Sequence, residues 1–238
     1  MVTPYNDSRG KKEQVKDMFD NISARYDLLN HLLTFGIDIH WRKKAVSCLK
    51  PHSPRILLDV ATGTGDFAME ALTLKPEKII GIDLSDKMMD YGRAKARKAG
   101  AENIVEFMTG DCEQLPFANN TFDAITVGFG VRNFENLEKG LSEMLRVLKP
   151  GGHAVILEAT QPQNTIIRHL FSFYFVRIVP MIGRLISKDA RAYAYLPESV
   201  GAFPAGSAFV ERAMAVGFRE VTWKPLTWGA CALYLMKK

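Results

Sequence analysis

The stretch Leu57-Leu58-Asp59-Val60-Ala61-Thr62-Gly63-Thr64-Gly65-Asp66 constrains this chain more than any other. An apolar run that breaks into Gly-x-Gly reads as a strand ending in a tight turn that opens a helix, where backbone can approach a ligand closely. Asp83 closes the next apolar run, Lys78-Ile79-Ile80-Gly81-Ile82. It stands about 20 residues past the turn, where nucleotide-binding α/β folds place an acid on the ribose hydroxyls. Together the two features predict a nucleotide-type pocket.

Gly63-x-Gly65-x-x-Ala68 also fits the dinucleotide fingerprint in its Gly/Ala form, so a nicotinamide or flavin cofactor is the first rival. The charges oppose it. A pyrophosphate sits on a helix N-terminus, where partial positive charge favours anions, yet Asp59 and Asp66 flank these glycines. S-adenosylmethionine carries an adenosine that Asp83 can hold, an ammonium and a sulfonium, and no phosphate, so it is the cofactor the charges select. The plainer roles are a helix cap for Asp66 and a buried, hydrogen-bonded turn position for Asp59.

At 238 residues, with 47% hydrophobic and 24% charged content, the chain suits one globular domain with a substantial core. Cys48, Cys112 and Cys231 are far apart, so neither a disulfide framework nor a zinc site is signalled, and no metal is expected. The first residues lack the apolar core of a signal peptide, which makes the cytoplasm the expected compartment. A net charge of +5 could serve nucleic acid or an anionic membrane. Basic and aromatic residues do not interleave as on an RNA platform, so nucleic acid is set aside.

Val15, Met18, Phe19, Ile22, Tyr26, Leu29 and Leu33 recur at helical spacing between Lys12 and Phe35, with Gly36 as the stop, and a second helix is expected from Ile39 to Leu49. Strands at 56–60, 79–83, 104–108, 122–127 and 153–157 then alternate with helices, including one begun by Ser85 and one closed by Lys149-Pro150-Gly151-Gly152. This alternation demands a largely parallel sheet covered on both faces. Asp111 and Cys112 follow the third strand, and Gly128, Arg132 and Asn133 follow the fourth, at the edge where such sheets bind ligands. His153, entering a strand, reads as structural. From Phe171 to Arg184 the chain is apolar and aromatic but interrupted by Arg177, Pro180 and Arg184, too short to span a bilayer. It reads as an inserted helical cover for a lipid-like substrate or an interfacial contact, against the plainer reading of a core helix. A helix from Ser207 to Val216 and strands at 220–224 and 230–236 finish the chain.

MFDNISARYDLLN, WRKK, LDVATGTGD, GIDLSDKMM, GDCEQLPF, FDAITVGFGVRNF, RVLKPGGHAVILEATQP and YAYLPESVGAFP follow one another from Met18 onward. In that order they resemble the ubiquinone/menaquinone-biosynthesis C-methyltransferase family. FGVRN and YAYLPESV carry more of this likeness than the glycine loop, which marks methyltransferases generally. The resemblance implies a Rossmann-like α/β methyltransferase sheet of seven strands, the last inserted antiparallel, in a single domain. Its parts would be N-terminal helices (1–50), a cofactor core (55–159), an inserted substrate cover (160–206) and a final helix and strand pair (207–238). It places Gly63, Thr64 and Gly65 at the methionine part of S-adenosylmethionine, Asp83 at its ribose, and Asp111 and Cys112 at its adenine. Gly128 stands where the family often has a serine.

The implied substrate is a polyprenylated quinol methylated on a ring carbon. Thr160-Gln161-Pro162 resembles the menaquinone-type sequences, which favours a naphthoquinol, demethylmenaquinol, over a dual-purpose enzyme that also takes the benzoquinol. A peripheral contact at the inner face of the membrane follows from such a substrate, and a homodimer is compatible with it. Arg132, beside Asn133, is the candidate for stabilising the ring oxygen, its plainer role being an ion pair with an acid such as Glu135. Arginine cannot accept the proton, so water, His31, His40, Tyr26, Tyr193 or Tyr195 would. The rivals are a dinucleotide-dependent oxidoreductase and an idle cofactor-binding protein at a membrane surface.

Overall fold

A computed structural model describes residues 2–5, 7–179, 181 and 189–238. Seven strands form one sheet in the order β3-β2-β1-β4-β5-β7-β6. They are β1 (Ile56–Val60), β2 (Lys78–Asp83), β3 (Val105–Thr109), β4 (Phe122–Gly128), β5 (Leu148–Ala159), β6 (Arg219–Leu226) and β7 (Cys231–Lys237). β1 pairs in parallel with both β2 and β4, and β7 runs antiparallel between β5 and β6. The strand order reverses between β1 and β4, so their carboxyl ends open the crevice where an α/β sheet takes its ligand. The central strands are buried on both faces: every residue from Leu57 to Val60 and from Ala124 to Val127 is covered.

β5 is longer than its sequence signal. The loop Lys149-Pro150-Gly151-Gly152, expected to close a helix, lies inside β5 as an irregularity between the pairs Phe122↔Leu148 and Ala124↔His153. Gly151 there adopts φ +77°, and a Cβ on Gly152 would stand 2.9 Å from the Asp123 carbonyl, so the glycines let the strand kink and resume.

Helices α4 (Asp66–Ala71), α5 (Asp86–Lys98) and α6 (Leu137–Val147) connect the parallel strands. Ser85 caps α5 as its sequence suggested, its Oγ accepting from Met88 N at 3.2 Å. Asp66 is no cap: Gly65, in left-handed backbone, precedes α4 without a side-chain cap bond. The N-terminal amphipathic region is not one helix but two, α1 (Lys11–Ile22) and α2 (Tyr26–Leu33), joined by a 3-10 turn over Ser23–Arg25, and α3 (Ile37–Leu49) follows. The turn swings Tyr26 inward over the sheet edge.

After β5 come α7 (Thr165–Phe173), a π-helical turn over Tyr174–Ile178, α8 (Ala190–Ala202) and α9 (Ser207–Val216). Buried Val15, Met18, Ile22 and Leu29 pack on Val179, Ala192, Tyr193 and Tyr195, so the N-terminal helices and the 160–206 insertion form one apolar cluster beside the main core. Pro180 and residues 182–188, which include Arg184 of the expected cover, lie outside the described residues.

Candidate active site

β1 ends in a loop whose Ala61 holds φ +52°, and β4 ends in one whose Phe129 holds φ +57°. Left-handed backbone at residues with a Cβ is uncommon and clusters at functional sites. The two loops nest: a Cβ on Gly130 would stand 2.6 Å from that of Ala61. Gly63, at φ +55°, donates its N–H to Asp83 Oδ2 at 2.8 Å, and Ser85 N donates to Asp83 Oδ1 at 2.9 Å. Asp83 is thereby fixed at the end of β2, and its remaining lone pairs can accept hydroxyls. Burial raises its carboxyl despite these amide donors.

Around them lies a cleft of about 700 Å³, counting its open mouth, with Gly63, Asp83, Asp111, Cys112, Gly128 and Asn133 in its wall. Gly65 is absent from that wall: its missing Cβ makes room for Phe107 at 2.8 Å, so it serves helix–sheet packing. Gly128 needs its bare backbone too, since a Cβ would stand 2.9 Å from Phe67. Asp111 accepts from Glu113 N at 2.8 Å and from Lys12 Nζ at 2.8 Å. Burial together with Asp111 and Glu113 pushes the Cys112 thiol well up, keeping it protonated.

A smaller cavity adjoins the cleft and is walled by Asp59, Thr64, Asp66 and Tyr26 among others. Asp59 accepts from Thr62 and Thr126 hydroxyls, each at 2.6 Å, and burial pushes it up to about 6. Thr64 donates to Asp27 at 2.6 Å, tying the glycine loop to α2. Asp66 pairs with Lys95 and, at 3.1 Å, with Arg42. His31 joins this polar group, with Nδ1 2.9 Å from Asp38. It lines none of these cavities, and neither does the exposed His40. His31, Asp38 and Asp66 approach one another at metal-ligand distances, but Arg42 bonds both carboxylates, so a cation already fills the place.

On the other side of Tyr26 and Phe129 lies a larger apolar cavity of about 1290 Å³, counting its open mouth. α1, α2, the π-helical turn and α8 wall it, and Arg132 is the one Lys, Arg or His among its described lining residues. Glu158, fully buried at the end of β5, binds Arg132 Nη1 at 2.7 Å and accepts the Arg132 backbone N–H at 3.1 Å. Arg132 thus pairs with Glu158 and not with Glu135, which accepts Lys11 N at 2.9 Å. Its Nε is buried and, among the described residues, without an acceptor. Tyr195 donates to Asn133 Oδ1 at 3.1 Å. Burial pushes the Tyr26 and Tyr195 phenols up to about 12, despite the nearby Arg132. They stay protonated at neutral pH and are hydrogen-bond donors, not proton acceptors.

Glu158 is a buried partner that the sequence did not disclose, since nothing local links it to Arg132. Lys11 is another. It is buried, donates to the Arg132 and Phe134 carbonyls at 3.0 and 2.8 Å, and pins α1 onto the loop after β4.

The ubiE/COQ5 methyltransferase family model matches residues 7–238. The chain belongs to that family. A demethylmenaquinone methyltransferase of Bacteroides fragilis is 50% identical over 238 residues, covering 100% of this chain and 97% of the relative. A ubiquinone/menaquinone biosynthesis C-methyltransferase of Geobacter sulfurreducens is 44% identical over 96% of this chain and 90% of its own length. Among solved structures, an S-adenosylmethionine-dependent methyltransferase of Thermotoga maritima, described as a possible histamine N-methyltransferase, has a TM-score of 0.64. It is 20% identical, and the match covers 93% of this chain and 99% of that one. A phosphoethanolamine N-methyltransferase of Haemonchus contortus, solved with S-adenosylmethionine, has a TM-score of 0.58 at 16% identity, over 82% of this chain and 52% of that one. At these identities the structures establish the fold.

Proposed function

We propose that the chain is an S-adenosylmethionine-dependent C-methyltransferase that converts demethylmenaquinol to menaquinol. One observation carries the reading: an apolar cavity whose described lining residues include one cation, Arg132, shares its Tyr26–Phe129 wall with the cleft that holds Asp83. The names of relatives at 43–50% identity agree with it.

The cleft suits a cofactor with cationic groups and no phosphate. Asp83 in the cleft and Asp59 in the adjoining cavity would repel a pyrophosphate, and α4 presents its own Asp66 at the end where phosphate would bind, whereas Asp111 and Glu113 are paired with Lys12. Gly63 would lie against the methionine part, Asp83 would accept the ribose hydroxyls, and Asp111 with Cys112 would border the adenine. Bound there, S-adenosylmethionine supplies an electrophilic methyl group.

The chain's own work is on the acceptor. A ring carbon is nucleophilic when the quinol oxygen is ionised, and a phenol with pKa near 10 costs about 4 kcal/mol to ionise at pH 7. A neighbouring cation lowers such a pKa by roughly 1–3 units. Glu158 offsets part of the Arg132 charge but leaves Nε–H buried and unsatisfied, and an oxyanion there would restore its hydrogen bond. Tyr26 would donate to the same or the second ring oxygen, and Tyr195, whose hydroxyl donates to Asn133, would wall the ring. Water would take the proton, because the Tyr26 and Tyr195 phenols stay protonated and His31 lines neither cavity. Holding the ring against the Tyr26–Phe129 wall supplies the alignment that such a transfer needs.

A polyprenylated acceptor resides in lipid, so the enzyme would work from the cytoplasmic side in peripheral contact with the membrane. No described helix is long and apolar enough to cross one. The test is transfer of labelled methyl to a chemically reduced demethylnaphthoquinone with a short prenyl tail, beside the matching benzoquinol. Label in the naphthoquinol alone is expected. Label in both would make the enzyme dual-purpose, and label in neither, with cofactor bound, would refute the substrate assignment.

A further inference from the structure

Phe35 and Trp228 are, at 78% each, the most exposed large apolar side chains among the described residues. Both sit in left-handed backbone, at φ +52° and +55°, and each precedes a left-handed glycine, Gly36 and Gly229. Aromatic side chains rarely adopt that conformation. Two strained turns therefore push aromatic rings into water, which folding alone does not reward.

The turns belong to distant parts of the chain but to one rim. Phe35 lines the apolar cavity with its ring 6.2 Å from that of Tyr174, whose hydroxyl donates to the Leu33 carbonyl at 2.9 Å. Thr227, beside Trp228, lines the same cavity and accepts from Trp41 Nε1 at 2.8 Å. Gly229 packs against Pro162, just ahead of α7. α7 turns an apolar face outward: Ile166, Leu170 and Phe173 are 62–73% exposed and stand at i, i+4 and i+7. Arg177 continues that stripe one turn on. From Thr160 to Met181 the sequence holds no Asp or Glu. Arg168 and Arg177 are exposed, and no ion pair engages either among the described residues.

We propose that this face docks on an anionic lipid bilayer, with Phe35, Trp228 and the outer side of α7 seated at the boundary between headgroups and acyl chains. An amphipathic surface with exposed aromatics and unpaired arginines is what an interface attracts. A second copy of this chain fits less well, because it would set unpaired arginines against unpaired arginines. The cavity mouth then opens toward lipid, and a prenylated quinol can enter without crossing water. That last step rests on the quinol reading, whereas the docking does not.

The test is co-sedimentation of the full chain with vesicles of phosphatidylcholine containing phosphatidylglycerol, and with phosphatidylcholine alone. Wild type should bind the anionic vesicles, and salt should weaken the binding. Trp228→Gly with Leu170→Gln should weaken it about tenfold or more. Glycine accepts the left-handed turn, so the melting temperature should hold or rise. Methyl transfer to a short-tailed quinol in solution should persist while transfer to a long-tailed quinol in vesicles falls. Arg168→Gln with Arg177→Gln gives a second reading that leaves the apolar face intact, and it should abolish the preference for phosphatidylglycerol. The proposal is overturned if wild type ignores both vesicles while methylating the short-tailed quinol, or if the variants bind as tightly as wild type. It is also overturned if wild type forms a dimer that the variant loses and never binds lipid. Vesicle binding lost in the variant, with no quinol methylated by wild type, would uphold the docking face and sink the substrate assignment.

Discussion

The Asp83 cleft and the Arg132 cavity share a wall yet are built on different principles. The central acids on the cofactor side are held by the sheet edge: Gly63 and Ser85 amides fix Asp83 in the cleft, and hydroxyls of Thr62 and Thr126 fix Asp59 in the adjoining cavity, while Lys12 of α1 reaches in to Asp111. The cavity owes its shape to helices outside the sheet, α1, α2, the π-helical turn and α8, and its polar floor is one arginine on one glutamate. The part of the cleft made by backbone register, the Gly63–Asp83 edge, tolerates changes in the helices around it. A cavity made by packed side chains loses its form when a few of them go. The first suits a cofactor common to many acceptors, and the second fits one acceptor.

The largest effect should come from the cavity floor. Arg132→Ala leaves Glu158 buried without its counter-ion, which should cost about 3–5 kcal/mol of stability. It should also lower turnover by roughly 10²–10³, the loss typical of removing one donor to a developing oxyanion. Arg132→Met combined with Glu158→Gln removes both charges, keeps an acceptor for the Arg132 backbone N–H and should return part of the stability without the activity. Urea unfolding and single-turnover kinetics measure the two separately. Recovery of activity in the double variant would reduce the pair to a structural role and break the contrast between the regions.

The next effect belongs to the cleft. Burial pushes Asp59 up to about 6 from an ordinary 3.8, so the fold binds its proton more tightly than the unfolded chain does. Stability from this group is complete below about pH 4 and is lost as pH rises through 6, by about 3 kcal/mol in total. Asp59→Asn should remove that slope, so the unfolding free energies of variant and wild type should draw apart by this amount between pH 4 and 7. Parallel curves would mean that water reaches Asp59 and that the sheet edge is wetter than its burial indicates.

The same contrast explains what could be read from the sequence. The cleft was legible because its residues are local signals: Gly63 and Asp83 sit at the ends of neighbouring strands, and strand periodicity located both. The inserted antiparallel strand came with the family resemblance and stands as expected. Tyr26 was marked from helix periodicity, but its place at the junction depends on the 3-10 turn at Ser23–Arg25, which no spacing announces. His31 was plausible by type, and Asp38 took it away from the cavities. The Arg132–Glu158 pair joins the loop after β4 to the end of β5, 26 residues apart, a contact that sheet packing creates. Gly65 reads as a cofactor glycine in sequence, and its packing against Phe107 is a second demand that the sequence does not show.

Asp83→Asn sharpens the contrast from the cofactor side. Asparagine offers one acceptor oxygen where the carboxylate offers two, so either Gly63 or Ser85 loses its partner, and the ribose loses a charged acceptor. Hydrogen bonds to charged groups contribute about 1.5–3 kcal/mol, so cofactor affinity should fall between about tenfold and a hundredfold. Calorimetric titration with S-adenosylhomocysteine measures this directly. The quinol KM should hold, because no lining residue of the apolar cavity bonds Asp83.

Tyr195→Phe should have the smallest effect and is the most direct probe of how the regions communicate. Tyr195 lines the cavity and Asn133 lines the cleft, and the 3.1 Å bond between them crosses the shared boundary. Its removal leaves the Asn133 acceptor unpaired, worth about 0.5–1.5 kcal/mol, so turnover should fall by about tenfold at most. If only the quinol KM and turnover move, the cleft holds Asn133 in place unaided, through the Asn133 N–H bond to the Gly130 carbonyl at 3.0 Å. If cofactor affinity moves equally, the bond couples the two sites, and filling one would tighten the other by the same factor.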